Sequence, residues 1–503
     1  NRRFDAADTR YRAQINHRQE LDRQVTLRVN VDALSDIDML EDWFKDEYNA
    51  NPQSTTKADV VYDAQRLHVS LGIRPRINDF YTVREELPEL RLDMPRQTLS
   101  DALPLQYQGS TSAGFYRMDW RDFDVDRRDW TLAALPRLAD QDDYDSFRVD
   151  SLHMLYLPFD VAGDIRVVPR AGLRLTYYTD SSETGMSPSD LEAYYAVDDP
   201  FNPNSLIDFR SSNPLAAKQY DSDGGSLFRA ATEFGVEAST KYYRVWPDAV
   251  SGVLGIDGLR HVVQPSINYT LAPDPTNSRD NIYFFDETDR LTEQHFVRFG
   301  VDQRVQTRRD KRVYTLARIQ SYADLHFSDK NDNGQDYDAL GDFGNRVEFF
   351  PTEALKTWAM VVTDLDEMDV RRAELGVKVR RKDGIRFSLA YMYRDNYYPR
   401  SIASMGSTLL DLTGEHGYLV REYREAQTAV SELYIPINEK TAGRIRLEYD
   451  LEDMQVSQQV YEIIRDLHCW MGSLAVGEDN GDVMVMVVLY LKALPGVKLD
   501  VGM

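Results

Sequence analysis

Along most of the chain, apolar residues return at every second position. Val25, Leu27, Val29 and Val31 alternate with Thr26, Arg28, Asn30 and Asp32, and Leu67, Val69, Leu71 and Ile73 alternate with His68, Ser70, Gly72 and Arg74. Val297, Phe299, Val301 and Val305 oppose Arg298, Asp302, Arg304 and Gln306, while Arg166, Arg170 and Arg174 sit between Val167, Leu173 and Leu175. A helix spaces its apolar face three and four residues apart, whereas a period of two belongs to a strand with one apolar face. The pattern predicts about 21 strands between residues 11 and 491, each near the length that a tilted membrane strand requires. The last of them, 483–491, is the most apolar run in the chain. It is far too short for a membrane helix, which needs roughly twenty apolar residues.

The connections between these strands alternate in kind. Short ones at 160–164, 307–311, 351–355, 381–384, 438–441 and 465–468 take turns with longer, more acidic ones at 33–57, 121–146, 180–227, 272–293, 328–342 and 395–425. Outer-membrane barrels are built this way, with short turns in the periplasm and long loops outside. A β-sandwich has no reason to keep that parity. No repeat of fixed period points to a propeller or solenoid, and no Gly/Ser- or Pro-rich linker divides the chain. Residues 1–503 are therefore predicted to form one domain, an all-β, large antiparallel transmembrane barrel. Pro169 and Pro265 fall within otherwise good strands and are predicted to interrupt them, because proline removes a ladder donor. Each reads as a local bulge or, more sharply, as a weakened seam that can part laterally.

Composition changes this picture little. The 30 Tyr, 20 Phe and 6 Trp can supply the aromatic girdles of a barrel. A mean hydropathy of −0.52 would ordinarily indicate a soluble protein, but alternating lipid-facing and lumen-facing residues average out hydrophilic. The net charge of −24 repels nucleic acid and anionic membrane surfaces, so neither is a predicted partner. The single cysteine, Cys469, excludes an internal disulfide framework and a Cys-rich zinc site. It reads as a free thiol at a strand end or as one half of a disulfide to a segment outside this sequence.

Motifs for catalysis, cofactors or metals are weak. DKNDNGQDYDAL (329–340) approaches a calcium loop, but Leu340 stands where the bidentate acid belongs, so a solvated acidic loop is the reading. In GSTSAG (109–114) no serine has glycine at both −2 and +2, as a nucleophile elbow requires. The eight histidines form no HExxH, and there is no P-loop. No catalytic residues, cofactor or metal are predicted.

Several stretches, taken in order, resemble the LptD (OstA) family of outer-membrane lipopolysaccharide-assembly proteins. Residues 10–44 (RYRAQINHRQELDRQVTLRVNVDALSDIDMLEDWF) are similar to that family's paired strands followed by an S-D-x-x-x-x-x-D-F element, with Ser35, Asp36, Asp42 and Phe44 in roughly matching places. REELPELRLD (84–93), LRHVVQPSINY (259–269) and VRFGVDQRVQTRRD (297–310) resemble further family segments, and RDLHCW (465–470) resembles its Y-x-x-C-C-W element. The resemblance runs from about residue 10 to 491. It implies an integral protein of the bacterial outer membrane, a translocon rather than an enzyme, that inserts lipopolysaccharide into the outer leaflet. The implied partners are lipopolysaccharide, an LptE-like plug lipoprotein, an LptA-like periplasmic bridge and outer-membrane lipid. A family barrel of about 26 strands, against about 21 here, implies about five further strands and a jellyroll ahead of Asn1, so that the sequence reads as a processed chain or a fragment. Cys469, at a periplasmic turn, becomes the single candidate for the family's interdomain disulfide, because His468 replaces its neighbour. Val483, Val485, Val487, Leu489 and Leu491 become the candidate seam strand.

The alternative is a large porin or substrate-specific channel, with an outer-membrane enzyme a distant third. The detergent-extracted protein should give a strand-dominated circular dichroism spectrum, and substantial helix would contradict the barrel.

Overall fold

The period-two stretches become strands, and every ladder between them is antiparallel. The computed structural model describes residues 10–502 apart from 38, 41–43, 45–46, 48–52, 82, 101, 120–142, 183–223, 292, 310, 328–338, 367, 395–425, 480–481 and 493–497. Among the described residues the strands begin with β1 (Arg12–Glu20), β2 (Val25–Leu34), β3 (Lys57–Asp63), β4 (His68–Arg74), β5 (Val83–Thr98) and β6 (Gln106–Asp119). They continue with β7 (Tyr144–Tyr156), β8 (Phe159–Val161), β9 (Ile165–Tyr178), β10 (Leu227–Thr240), β11 (Tyr242–Ser251) and β12 (Ile256–Ala272). Next come β13 (Gln294–Arg309), β14 (Arg312–His326), β15 (Leu340–Thr352), β16 (Leu355–Asp364), β17 (Val370–Arg380) and β18 (Arg386–Arg394). The last are β19 (Ala426–Asn438), β20 (Thr441–Asp450), β21 (Gln455–Leu467), β22 (Trp470–Asp479), β23 (Asp482–Leu491) and β24 (Lys498–Gly502).

All belong to one sheet in which neighbours in sequence pair as a meander. Two of the strands are broken in the middle: β7 and β8 both pair with β9, and β10 and β11 both pair with β12. The 24 segments thus make 22 continuous strands, close to the predicted number. The sequence reading passed over β3 and β24, which are short. Among the described residues, β1 pairs only with β2 and β24 only with β23.

The two faces of the sheet are opposite in character. In β7, Tyr144, Ser146, Arg148, Asp150, Leu152, Met154 and Tyr156 are buried, whereas Phe147 and Leu155, pointing the other way, are exposed. β9 buries Arg170, Arg174, Thr176 and Tyr178 and exposes Leu173 and Tyr177. In β13 Arg298 is 2% exposed while its neighbour Phe299 is 49% exposed. Buried charge and bare hydrocarbon are the reverse of a water-soluble sheet, and they are what a membrane barrel requires. Inner-face arginines find carboxylates across the ladder. Arg170 Nε donates to Glu233 Oε1 at 2.6 Å, Arg174 grips Asp150 in two bonds of 2.8 Å, and Arg298 grips Asp324 at 2.7 and 2.6 Å. Such forked pairs are the strong form of charged hydrogen bond.

Three glycines make room for these large inner side chains. Gly235 lies directly across from Arg170, Gly344 from Tyr322 and Gly376 from Trp358, and a Cβ at any of them would overlap the facing group.

Two expectations are corrected. Pro169 and Pro265 do not interrupt their own strands: β9 and β12 run on through them, with Pro169 opposite Val236 and Pro265 opposite Val301. It is the neighbouring strand that breaks. Pro169 faces the gap between β7 and β8, where its carbonyl still accepts from the Leu157 N–H at 3.0 Å. Pro265 faces the gap between β10 and β11, between the pairs Ser239–Ser266 and Tyr242–Val263. A proline has no N–H to offer, so the ladder lapses on the side it faces. Second, Val483, Val485, Val487, Leu489 and Leu491 do not form the edge. Their strand, β23, pairs along its length with β22, and over Met486–Tyr490 it also pairs with β24.

Gly235→Ala should cost about 1–3 kcal/mol, because Arg170 is pinned by three partners and cannot yield freely. Gly443→Ala, whose Cβ would meet nothing nearer than 3.9 Å, should be neutral. The temperature at which the folded band converts to the unfolded one in a semi-native gel reads both.

Candidate functional site: a loop lodged against the inner wall

The connection from β12 to β13, residues 273–293, does not stay at the rim. It carries the apolar run Ile282, Tyr283, Phe284 and Phe285, each at most 1% exposed. These residues lie against the inner faces of β6 and β7, where Tyr283 and Phe285 cluster with Tyr116, Met118 and Tyr144. Tyr144 stacks on Tyr283 with ring centroids 4.6 Å apart and donates its hydroxyl to the Phe284 carbonyl at 2.7 Å. Burying a large apolar side chain is worth about 1.5–3 kcal/mol, so the run holds the loop firmly.

Directly after this run the loop makes a single 3-10 turn, Glu287–Arg290, capped by Asp286, whose Oδ1 accepts from Thr288 N at 2.9 Å. Asp289 closes the cap by accepting from the Phe285 and Asp286 N–H groups at 2.8 and 3.0 Å. The turn therefore presents two carboxylates at a fixed spacing. Arg148 of β7 meets both, donating to Asp286 at 2.9 and 2.5 Å and to Asp289 at 3.0 and 3.1 Å. Arg84 of β5 also reaches Asp286, and Tyr178 of β9 donates to Asp289 at 2.6 Å. Arg174 donates to Thr288 Oγ1 at 3.0 Å. Arg229 of β10, 1% exposed, donates to the backbone carbonyls of Asn277, Thr288, Asp289 and Leu291. Leu291 then packs on a second inner cluster, Leu152, Met154, Tyr156 and Ala231.

The two loop carboxyls are not equivalent. Burial pushes Asp286 up, but Arg148 and then Arg84 outweigh it and hold the group ionised well below the usual carboxylate range. Burial pushes Asp289 up, and against the pull of Arg148 the neighbouring Asp286 keeps it raised.

The sequence-derived sites lie elsewhere. Cys469 is free and exposed in the two-residue turn between β21 and β22, on the short-turn rim, with its Sγ 3.3 Å from His468 Nδ1. Pro169 and Pro265 sit in the wall strands β9 and β12, and the five residues of β23 take no part in the loop contacts described. Ser35 and Asp36 do form a built element. Asp36 takes two bonds from Arg10, at 3.0 and 2.6 Å, and one from Ser35 Oγ at 2.6 Å, while Phe44 lies under Arg12. Asp42 lies outside the described residues, as does most of the acidic 329–340 stretch. The lodged loop was missed because 272–293 counts as a long acidic connection. The signal was present in IYFFDETD (282–289): four consecutive apolar residues have no reason to sit in a solvated loop.

An antiparallel meander with an apolar outer face, an ion-paired inner face and hairpins short on one rim and long on the other defines an outer-membrane-type β-barrel, here with one loop folded into its lumen. Residues 155–332 match the family model described as LptD protein, which bears out the resemblance to that family over roughly a third of the chain. The matched stretch holds Pro169, Pro265, Arg174, Arg229 and the whole lodged loop, whereas Arg84, Tyr116 and Arg148 precede it. No curated protein matches the chain. Solved structures of similar outline include the siderophore receptor PirA from Acinetobacter baumannii, at 8% identity and a TM-score of 0.38, covering 97% of this chain and 71% of that one. The ferric enterobactin receptor PfeA from Pseudomonas aeruginosa, in complex with BCV-L6, gives 10% identity, a TM-score of 0.35, and 97% and 74% coverage. The FrpB iron transporter from Neisseria meningitidis gives 10%, 0.36, and 88% and 73%. These overlaps are too loose to carry an argument about function.

Arg148→Met should leave the buried Asp289 and the half-buried Asp286 short of their main partner, a loss of about 3–5 kcal/mol for such a pair. Labelling of an Ile282→Cys reporter in a Cys469→Ser background should then become fast, where the parent is slow. Acidification to pH 5 should not release the loop. A carboxyl with a depressed docked pKa stabilises docking above its ordinary value near 3.9 and loses that contribution only as pH falls below it. Asp289, raised when docked, favours docking as it protonates. Faster labelling at pH 5 than at pH 7 would contradict this.

Proposed function

We propose that this protein is an integral outer-membrane translocon that inserts lipopolysaccharide into the outer leaflet, with no enzymatic step of its own. The observation that carries the reading is the LptD match over 155–332, which falls on the wall and loop of the site. The physical division of the sheet supports it. A lumen lined by paired charges accommodates a sugar and phosphate head group, and an apolar outer face lies against hydrocarbon. In this reading the short-turn rim faces the periplasm, where an LptA-like bridge delivers cargo, and an LptE-like lipoprotein plugs the lumen. In the same reading Cys469, exposed on that rim, bonds a periplasmic segment.

A large porin or substrate-specific channel is the second reading, because an in-folded loop narrows a lumen in the way a constriction does. Depleting the protein in its host decides between them. A translocon predicts that newly made lipopolysaccharide fails to reach the cell surface while small-solute uptake is unchanged. Normal surface lipopolysaccharide with impaired uptake would replace the first reading by the second.

A further inference from the structure

The inner-wall arginines fall into two groups. Arg170, Arg174 and Arg298 each have a carboxylate on an adjacent wall strand, namely Glu233, Asp150 and Asp324. Their charge is balanced whether or not the loop is present. Arg148 and Arg229 are different. Among the described residues, the carboxylates in contact with Arg148 are those of the loop's Asp286 and Asp289, and Arg148 also lies over the Tyr116 ring, 4.4 Å away. Arg229 donates to four carbonyls, all of them in residues 273–293. Arg84, beside them, divides itself between Glu86 and the loop's Asp286. Among the described residues the Nε of Arg148 has no acceptor even with the loop in place, so the site holds more donors than the loop uses.

A guanidinium whose counter-charge sits only on a connecting loop is uncompensated whenever that loop lifts. Burying such a group is costly unless another anion replaces the loop. Forked guanidinium donors on two strands that flank a common neighbour, β9, suit the planar oxygens of a carboxylate or the oxygens of a phosphate monoester. The capped turn at Asp286 and Asp289 presents two acidic groups held by the wall as an anionic ligand would be.

We propose that Arg148 and Arg229, flanked by Arg84, form a lumenal binding site for phosphate monoester groups, and that Asp286 and Asp289 are its built-in competitor. For the identity of the phosphate carrier this rests on the function proposed above: the phosphates of a glycolipid head group enter as the loop withdraws. A loop that occupies its own wall's anion site lowers the apparent affinity by the fraction of molecules in which the site is free. It also keeps the lumen filled when no cargo is present.

The test uses the full chain in nanodiscs with two probes, a bisphosphorylated glucosamine lipid and inorganic phosphate, and the dephosphorylated lipid as control. Asp286→Asn with Asp289→Asn should tighten binding of the phosphorylated lipid by about tenfold or more, at equal folded fraction on a semi-native gel. Adding Arg148→Met and Arg229→Met should remove that gain, and Arg148→Lys with Arg229→Lys should restore part of it. Equal binding of the dephosphorylated lipid, or a gain that survives loss of both arginines, overturns the site. If inorganic phosphate alone shows the arginine-dependent gain, the site stands and the lipopolysaccharide reading falls. If neither probe shows it, the site falls, and the depletion experiment still decides the function independently.

Discussion

Everything in this structure follows from one constraint: each strand must present hydrocarbon on one side and charge on the other. The period of two in the sequence meets it, and the antiparallel ladder satisfies the backbone groups without help from solvent. The outer residues then need no partner within the protein. The inner ones need a great deal, since arginines and carboxylates closed off from bulk water have to find each other. The ion pairs of Arg170, Arg174 and Arg298 are the result, each set across adjacent strands and each relying on the register of the ladder. Shifting a strand by one residue would turn every such group outward into hydrocarbon, so register and charge balance enforce one another.

The lodged loop is built on the same wall but obeys a different logic. Its aromatic run supplies adhesion, and its capped turn supplies charge complementarity. Neither part is bound by the ladder, so attachment rests on side chains, on the carbonyls that meet Arg229, and at the start of the loop on the backbone bond from Thr276 N–H to the Ala230 carbonyl. An element held in this way can leave without unravelling the sheet. The contrast between wall arginines that keep their own carboxylates and those whose partners are the loop's carboxylates (Arg148) or carbonyls (Arg229) gives the lumen two separable states.

Much of this was legible in the sequence. The alternation of Val297, Phe299 and Val301 with Arg298 and Asp302 fixed both the strand and its inner face, and the parity of short and long connections separated the two rims. Prolines were harder. Pro169 and Pro265 lack a donor wherever they sit, but which of two strands then breaks depends on register, which no local pattern encodes. β3 was passed over because Val60, Val61 and Tyr62 run together and break its alternation, and β24 because five residues carry too few alternations to stand out. The lodged loop was hidden for a related reason. Its acidic composition announces a solvated connection, and only the run from Ile282 to Phe285 says otherwise. That Asp286 and Asp289 neutralise Arg148 is a contact across 138 residues or more and has no local signature.

The two states of the lumen depend on the 273–293 loop lying inside the barrel against β7. The most direct measurement is cross-linking by a short bis-maleimide between cysteines introduced at Tyr144 and Tyr283, in a Cys469→Ser background and in native membranes. The two rings stack at 4.6 Å, so cross-linking should be rapid and near-complete in protein that still migrates as the folded form. Folded protein in which the pair fails to cross-link would contradict that placement.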